Sequence, residues 1–182
     1  MISLAQLKGY QVKNLDPIQS VVLLALTEIG ERSGGRYSPQ AVFERLKWEL
    51  ANDLGVAVWV GVDEAKRANG SGLNDSICGV MTLMICPDEL GTAIAVISRG
   101  WIRKGYGGLP FDLAMPLVEA WARQKKAIKL VSMTERSSLG RASDRLDLKH
   151  FRARMNGLAA YARWIGQRGF RQRETIFEKV LT

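Results

Sequence analysis

The chain has 182 residues, 47% of them hydrophobic, which is enough for one well-buried core and too few for two domains. Lysine and arginine number 26 against 18 aspartates and glutamates, a formal net charge of +8, so an anionic partner is favoured: a nucleotide cofactor, nucleic acid or an acidic protein surface. Two cysteines within an apolar run and a single histidine argue against a disulfide framework or a zinc site. Because no signal pattern and no apolar stretch of ~18 residues is found, we expect a cytoplasmic protein without a membrane partner.

The first part of the chain predicts one strand and two helices. Residues 10–15 alternate weakly between polar and apolar side chains, as in a short strand. Asp16-Pro17 supplies the capping residue and the first-turn proline of a helix that we expect to end at Gly30. Ser38-Pro39 repeats this start signal for a second helix, which is expected to end near residue 52.

Three β-rich runs, at residues 56–62, 77–86 and 92–97, predict the central strands. A flexible connection at residues 69–72 joins the first two runs, and a turn at residues 87–89 joins the second to the third. The runs therefore predict an antiparallel meander that is buried on at least one face.

The stretch from Ile97 to Gly108 predicts a glycine-rich turn between the third strand and a helix. Its glycines and cations are Gly105, Gly107, Gly108, Arg99, Arg103 and Lys104. Glycines let the backbone approach a ligand closely, and a helix start offers unpaired N–H groups to an anion. We therefore expect this turn to hold a phosphate group.

A helix and a further strand are predicted after the turn. The helix has two possible starts. One lies near Gly107 and places Pro116 inside the helix, where it should cause a kink; the other lies near Asp112 and places Pro116 in the tolerated first turn. Residues 127–134 then predict a strand parallel to the third, because a helical crossover joins the two.

The end of the chain predicts a polar insertion at about residues 135–155, a last helix around residues 158–165 and a closing strand at residues 175–181. Together the elements predict a single domain of the α/β (α+β) class. Its central sheet is mixed and mostly antiparallel, with flanking helices and one parallel βαβ unit after the glycine-rich turn.

This order of elements, with the turn, resembles the GNAT superfamily of acyl-CoA-dependent N-acetyltransferases over most of the chain. That family has a strand ending in an apolar residue, followed by an Arg/Gln-x-x-Gly-x-Gly/Ala loop that opens a helix. Here Ile97 lies eight residues before Gly105, and Gly105-Tyr106-Gly107 supplies the Gly-x-Gly. Residues 159–170, which end in Gly169-Phe170 and precede a strand, are similar to the family's last helix.

The resemblance implies acetyl-CoA as cosubstrate and no metal. Ile97 and Arg99 would pair their main chain with the pantetheine arm, while the turn holds the pyrophosphate. The implied cofactor-binding residues are Ile97, Arg99, Arg103, Lys104, Gly105, Tyr106, Gly107 and Gly108.

Two positions depart from the family pattern. Ile102 stands where the loop has arginine or glutamine, and Ile165 stands where a tyrosine often protonates the leaving thiolate. Tyr161, one helical turn earlier, takes that role if the helix is shifted.

Attack on the thioester needs a neutral amine, and therefore a base or a chain of water molecules that removes its proton. Candidates besides Tyr161 are Glu135 and Ser132, with Glu64 and His150 as further titratable groups.

Three functional hypotheses follow. The first is an N-acetyltransferase in which an acceptor amine, from a small molecule or a protein, attacks acetyl-CoA directly in a ternary complex. The second is a GNAT-fold binding or structural module that has lost catalysis and docks on nucleic acid or within a larger assembly; Ile102, Ile165 and the basic segments at residues 136–154 and 163–173 favour it. In the third, the glycine-rich turn is only a tight connection.

Overall fold

A computed structural model of the chain describes residues 4–32, 38–87, 90–133, 163, 165–167, 169–173 and 176–180. Within them the helices are α1 (Gln19–Arg32), α2 (Pro39–Ala51), α3 (Glu64–Ala68), α4 (Leu73–Ser76) and α5 (Leu109–Gln124), with short 3-10 turns at Leu4–Gln6 and Asp16–Ile18. The strands are β1 (Leu7–Val12), β2 (Val56–Asp63), β3 (Ile77–Pro87), β4 (Ala93–Ile102), β5 (Lys129–Met133), β6 (Arg171–Arg173) and β7 (Ile176–Val180).

The strands form one mixed sheet in the order β1-β2-β3-β4-β5-β7-β6. Strands β2 to β4 make the predicted antiparallel meander, and β1 extends it by pairing antiparallel with β2. Strands β4 and β5 are parallel, and β7 pairs antiparallel with both β5 and β6. The crossover from β4 to β5 runs through α5, as the sequence predicts. The expected fold class is therefore confirmed.

Helices cover both faces of the sheet, and the alternation along β2 shows how. Ala57 and Trp59 point towards α5 and share a buried cluster with Phe111 and Val118. The intervening Val58, Val60 and Val62 point to the other face. There they pack with α1 and α2, where Phe43 is fully buried. The nearly continuous apolar run of β2 follows from this double burial.

A row of glycines on neighbouring strands lets the start of α5 pack closely against the sheet. Gly9, Gly61 and Gly79 are cross-strand neighbours on β1, β2 and β3. A Cβ built on Gly79 would lie 2.6 Å from Pro110 Cβ, and one on Gly61 would lie 3.2 Å from the same atom. Pro110, in the first turn of α5, thus occupies the space that side chains would fill.

Two β-bulges interrupt the pairing. On β4, Ile97 lies opposite Leu83 and Arg99 opposite Thr82, so Ser98 is the extra residue. On β3, Gly79 lies opposite Gly61 and Ile77 opposite Val62, so the extra residue is Cys78. A bulge bends its strand and increases the local twist.

Three predictions at the N-terminal end need correction. The first strand begins at Leu7, earlier than predicted, because its pairing with β2 decides the register. Asp16 does not cap α1: it lies in a 3-10 turn, where the Asn14 side chain accepts a hydrogen bond from its amide at 3.0 Å. Helix α1 also continues past Gly30 to Arg32.

The predicted Ser38 cap of α2 is confirmed, since its hydroxyl oxygen accepts a hydrogen bond from the Ala41 amide at 3.3 Å.

Two further corrections concern the glycine-rich turn. Strand β4 does not end at Ile97 but runs to Ile102, because residues 99–102 pair with β3. Helix α5 begins at Leu109, so the start near Gly107 is the better of the two alternatives and Pro116 lies inside the helix. Its ring replaces the N–H that would otherwise bond to the carbonyl of Asp112.

The last part of the chain is described only in part. Strands β5 and β7 match two predicted strands, whereas β6 was not predicted. The predicted insertion at residues 135–155 and most of the predicted last helix lie outside the described residues. In the described ranges, no helix is both long enough and apolar enough to cross a bilayer.

Candidate functional site

Strands β4 and β5 pair along only part of their length. The parallel ladder runs from Ile94 opposite Lys129 to Ile97 opposite Ser132. Beyond it β4 continues to Ile102 with no further ladder position on the described part of β5. The Ser98 bulge lies at the point of separation. The bulge bends β4 at this point, and the β4 main chain beyond Ile97 has no ladder partner on the described residues of β5. We call this unpaired stretch between the two strands the β4–β5 gap.

Hydroxyl groups fix the bulge in place. Ser98 Oγ donates to the carbonyl oxygen of Thr82 at 3.1 Å, and it lies 2.8 Å from Thr82 Oγ1. Thr82 is 2% exposed, so water competes little for these bonds. The bend in β4 is therefore held by side chains as well as by the backbone.

Gly100 leaves space open beside the gap. It lies on the same face of β4 as Ile102, which packs against the core on the α5 side, whereas Trp101 packs on the other face. A Cβ on Gly100 would meet no atom within 4 Å, and its φ is not in the left-handed region. Neither crowding nor backbone strain excludes a side chain here, and any side chain would project into open space.

The turn after β4 presents free amides at the start of α5. Gly105 and Gly107 have φ values of +98° and +57°. A Cβ on either would meet no atom within 4 Å, so the backbone conformation is what favours glycine. Within the described part of the chain, the amides of Lys104, Gly105, Gly107 and Gly108 donate no hydrogen bond. The amides of Gly107 and Gly108 directly precede α5, and amides at the N-terminus of a long helix attract anions.

Tyr106 anchors this turn to the sheet. Its side chain is buried, and its hydroxyl donates to Asp63 Oδ2 at 2.7 Å. Asp63 ends β2 and caps α3 by accepting a hydrogen bond from the Lys66 amide at 3.1 Å. Lys66 Nζ lies 5.3 Å from the centroid of the Tyr106 ring, within cation–π range. The side chain of Tyr106 therefore ties the turn to the end of β2.

Burial and hydrogen bonding set the charges of this cluster. Burial raises the pKa of Tyr106, and the hydrogen bond to Asp63 raises it further. At Asp63 burial also acts to raise the pKa, but the hydrogen bonds from Tyr106 and from the Lys66 and Ala65 amides, with the Lys66 charge, together lower it. An ionised Asp63 thus accepts from a neutral Tyr106 at pH 7. Nearby, burial raises the pKa of the Cys78 thiol to about 11, and the Asp63 charge adds to the effect.

Arg103 links the turn to β3. Its amide donates to the Cys78 carbonyl at 2.8 Å, its Nε to the Ile77 carbonyl at 2.9 Å and its Nη2 to the Asn74 carbonyl at 2.9 Å. These carbonyls lie at and just before the Cys78 bulge. The guanidinium also lies 5.6 Å from the centroid of the Trp101 ring. Arg103 is thus held by carbonyl groups, and its contact with a cofactor stays a prediction.

The other predicted residues are only partly brought together. Ile97 and Ser132 are both buried and lie opposite each other at the end of the β4–β5 ladder. Arg99 lies beyond the bulge, and Lys104 is exposed in the turn. The remaining candidates fall outside the described residues: Glu135, Tyr161 and His150.

Two further positions bear on catalysis. Glu64 accepts a hydrogen bond from the Tyr10 hydroxyl at 2.9 Å at the β1 edge of the sheet, with β2 and β3 between it and β4. Ile165 is 0% exposed within the α5-side core. The side chain at this position therefore serves packing.

The sequence interpretation missed three residues of the site. Asp63 and Lys66 have a local signal in the sequence. An aspartate at the end of an apolar run can cap a helix that begins at the next residue, by accepting a hydrogen bond from the amide three residues further on. The bulge at Ser98 has no local sequence signal, because its position depends on the register in which β3 pairs with β4.

No family model matches the sequence, and no curated protein is detectably similar to it. Solved structures do match it in fold. An acetyltransferase from Streptococcus agalactiae 2603 has 15% identity and a TM-score of 0.56 over 97% of this chain and 99% of that one. The NatC complex bound to Gag peptide and CoA has 13% identity and a TM-score of 0.58 over 96% and 99%. A predicted acetyltransferase with acetyl-CoA from Clostridium acetobutylicum has 10% identity and a TM-score of 0.52 over 78% and 94%.

Proposed function

We propose that this chain, which has the fold of the GNAT acetyltransferases, binds acetyl-CoA and transfers its acetyl group to an amine in a ternary complex. The observation that carries the proposal is that the β4–β5 gap is followed, before α5, by a turn with four amides that donate no hydrogen bond within the described residues. Coenzyme A has an extended, amide-containing arm and a pyrophosphate. A strand edge suits the first, and a helix N-terminus suits the second.

The turn supplies the pyrophosphate site in this proposal. In this site the pyrophosphate oxygens accept hydrogen bonds from four amides, those of Lys104, Gly105, Gly107 and Gly108. Because these donors belong to the backbone, no side chain has to become ordered when the ligand binds. The charge of Lys104 and the net charge of +8 add attraction that salt weakens. Tyr106 supports this site by anchoring the turn, because its hydroxyl donates to Asp63 and its amide donates to the Arg103 carbonyl at 3.3 Å.

The gap supplies the site of the pantetheine arm. Its amides would bond to the main chain of Ile97 and Arg99, as an added strand does at a sheet edge. The open space at Gly100 leaves room for the arm beside β4. The thioester would then lie near the bulge at Ser98.

The reaction forms a bond between the amine nitrogen and the thioester carbonyl carbon, and it breaks the C–S bond. The amine loses a proton and the departing thiolate gains one, so a proton acceptor and a proton donor are both needed. Ser132, Glu135 and Tyr161 are the residues we propose for these roles. Of these, Ser132 lies within the described residues, at the end of the β4–β5 ladder.

Two structural neighbours support the choice of cosubstrate. The Clostridium acetobutylicum protein was solved with acetyl-CoA, and the NatC complex was solved with CoA. The Gag peptide bound to NatC supports a peptide or protein as one class of acceptor, beside small amines.

A module that binds CoA without transferring the acetyl group is the second candidate. Ile165 favours it, because an isoleucine side chain has no acidic proton to give to a thiolate and is here packed in the core. The two candidates share the cofactor site and differ only in turnover.

Thermal unfolding with and without acetyl-CoA tests the shared site. Ligand at ~100 times its dissociation constant should stabilise the fold by ~2.7 kcal/mol. An unchanged melting temperature at millimolar CoA would refute both candidates. Release of CoA thiol across a panel of amines then separates them, since a binding module melts later with CoA but consumes no thioester.

Two variants of Gly107 separate charge from backbone strain. Both Gly107→Glu and Gly107→Gln place a similar side chain on a backbone with φ +57°. Only the first adds a negative charge beside the amides, so it should abolish the stabilisation by CoA, whereas Gly107→Gln should keep part of it. Equal losses would show that an anion does not bind at these amides.

A further inference from the structure

A cavity of about 170 Å³ lies on the face of the sheet opposite α5, between α2 and strands β2 to β4. Apolar residues from the helix and the strands line much of it: Val42, Leu46, Val56 and Met84. An apolar protein cavity of about 150 Å³ is large enough to bind benzene. The space therefore suits a ligand group of that size.

The cavity extends to the bulge of β4. Ser98 and Arg99 both line it, and these residues follow directly on the last ladder position between β4 and β5. The cavity and the gap thus lie against the same short segment of β4. A thioester bound in the gap near Ser98 would have this cavity as an adjoining space for its acceptor.

Glu49 brings a carboxylate to the cavity. Its side chain is only 12% exposed, and Arg45 Nε donates to its Oε1 at 2.7 Å. Within the described residues Oε2 accepts no hydrogen bond. Oε2 is not among the buried unpaired atoms of the described residues, so it is accessible from outside the core. It can therefore accept a hydrogen bond from a donor that enters the cavity.

We propose that this cavity is the acceptor site of the transferase and that Glu49 Oε2 accepts a hydrogen bond from the acceptor's amine. The acceptor is then a primary amine on a short apolar group, either a free amine or the first residue of a peptide. This inference rests on the proposed function.

The charged groups of the cavity act on the protonation of an amine in opposite directions. The Glu49 carboxylate favours the ammonium ion, whereas burial and the guanidinium groups of Arg45 and Arg99, which also line the cavity, favour the neutral amine. The amine attacks the thioester in its neutral form. In this proposal Glu49 therefore orients the amine, and the neighbouring cations oppose its protonation.

Glu49→Gln tests the role of the carboxylate. The Arg45 side chain would hold the new amide oxygen and turn the NH₂ group towards the cavity, which replaces an acceptor with a donor. Glu44→Gln is the matched control, because Glu44 lies on the same helix, is exposed and, among the described residues, accepts a side-chain hydrogen bond from Gln40 alone, at 2.7 Å. Thiol release is measured with isoamylamine and with a peptide whose first residue is leucine.

Glu49→Gln should raise the KM for the acceptor at least tenfold and leave the KM for acetyl-CoA within twofold, whereas Glu44→Gln should change neither. Val42→Phe, which narrows the cavity, should raise the KM for isoamylamine more than that for ethylamine. The substrate that is used, free amine or peptide, identifies the source of the acceptor. An unchanged acceptor KM in Glu49→Gln would overturn the inference, as would turnover of neither substrate by a wild-type protein that binds CoA.

Direct binding separates this inference from the proposed function. Isoamylamine is titrated by NMR into the wild-type and Glu49→Gln proteins without CoA. Binding that is lost in Glu49→Gln supports the cavity even if CoA fails to stabilise the fold. Equal binding, or none to the wild type, overturns the inference even if CoA binds.

Discussion

Replacing Gly79 with alanine should weaken both the fold and cofactor binding through one contact. The new Cβ would lie 2.6 Å from Pro110 Cβ and 3.4 Å from the Trp101 carbonyl oxygen. Pro110 is a rigid ring in the first turn of α5 and cannot rotate away. The start of α5 must therefore move off the sheet by roughly 1 Å to restore a contact of about 3.5–4.0 Å.

The size of the effect follows from two opposing terms. Overpacking of a core costs about 1–3 kcal/mol, while alanine in place of glycine recovers about 0.4–1 kcal/mol by restricting the unfolded chain. At the middle of both ranges the net loss is about 1.3 kcal/mol, which lowers the melting temperature by roughly 3–5 °C in a chain of this size. Because Gly107 and Gly108 move with α5, CoA affinity should fall about tenfold, or about 1.4 kcal/mol.

Thermal unfolding of the wild type, Gly79→Ala and Gly9→Ala, with and without CoA, measures both effects. Gly9→Ala is the matched control because its Cβ would meet Leu117 Cδ1 at 3.0 Å, the flexible end of a partly exposed side chain. It should therefore change little. The reasoning is refuted if Gly79→Ala melts with the wild type and gains as much stability from CoA.

Three further predictions concern the cluster beneath the turn. Tyr106→Phe removes a donor from the buried Asp63 carboxylate and should lower the free energy of unfolding by about 1.5–3 kcal/mol; an unchanged urea midpoint would contradict this. The lowered pKa of Asp63 gives stability that is complete above its ordinary value of 3.8 and lost as pH falls through the folded-state pKa. The raised pKa of Tyr106 gives stability that is complete below 10.0 and lost as pH rises through the folded-state pKa. Urea unfolding of Tyr106→Phe should therefore show a smaller alkaline loss. Its acid loss should be smaller too, because Tyr106 donates one of the hydrogen bonds that lower the pKa of Asp63. With the pKa of the Cys78 thiol raised to about 11 by burial, iodoacetamide at pH 8 should label Cys86 first; equal labelling of the folded protein by mass spectrometry would argue against this burial.

Elements with a strong local pattern could be predicted from the sequence. The apolar runs of β2 and β3 leave few alternatives to buried strands, and Ser38 begins α2 with a side-chain hydrogen bond of its own. The crossover from β4 to β5 also follows from the order of elements, because a helix between two strands places them parallel.

Features that depend on distant residues could not be predicted. Arg99 and Gly100 have the composition of a turn, yet pairing with β3 keeps them in β4. Tyr106 lies 43 positions from Asp63, so its anchoring role is visible only once the turn and the end of β2 are placed together. The acceptor cavity likewise needs α2 over the bulge, and no local pattern gives that placement.

The bulge at Ser98 has a consequence for the length of the chain. Ile97 and Arg99 already lie opposite adjacent residues of β3, so deletion of Ser98 would leave every neighbouring side chain on its present face. Only the bend would disappear, and a straight β4 would extend its ladder along β5 to Met133 and close the gap. The opening between the strands thus depends on the number of residues in β4 as well as on the Ser98 hydroxyl, so deletion of Ser98 should remove it more fully than a single substitution.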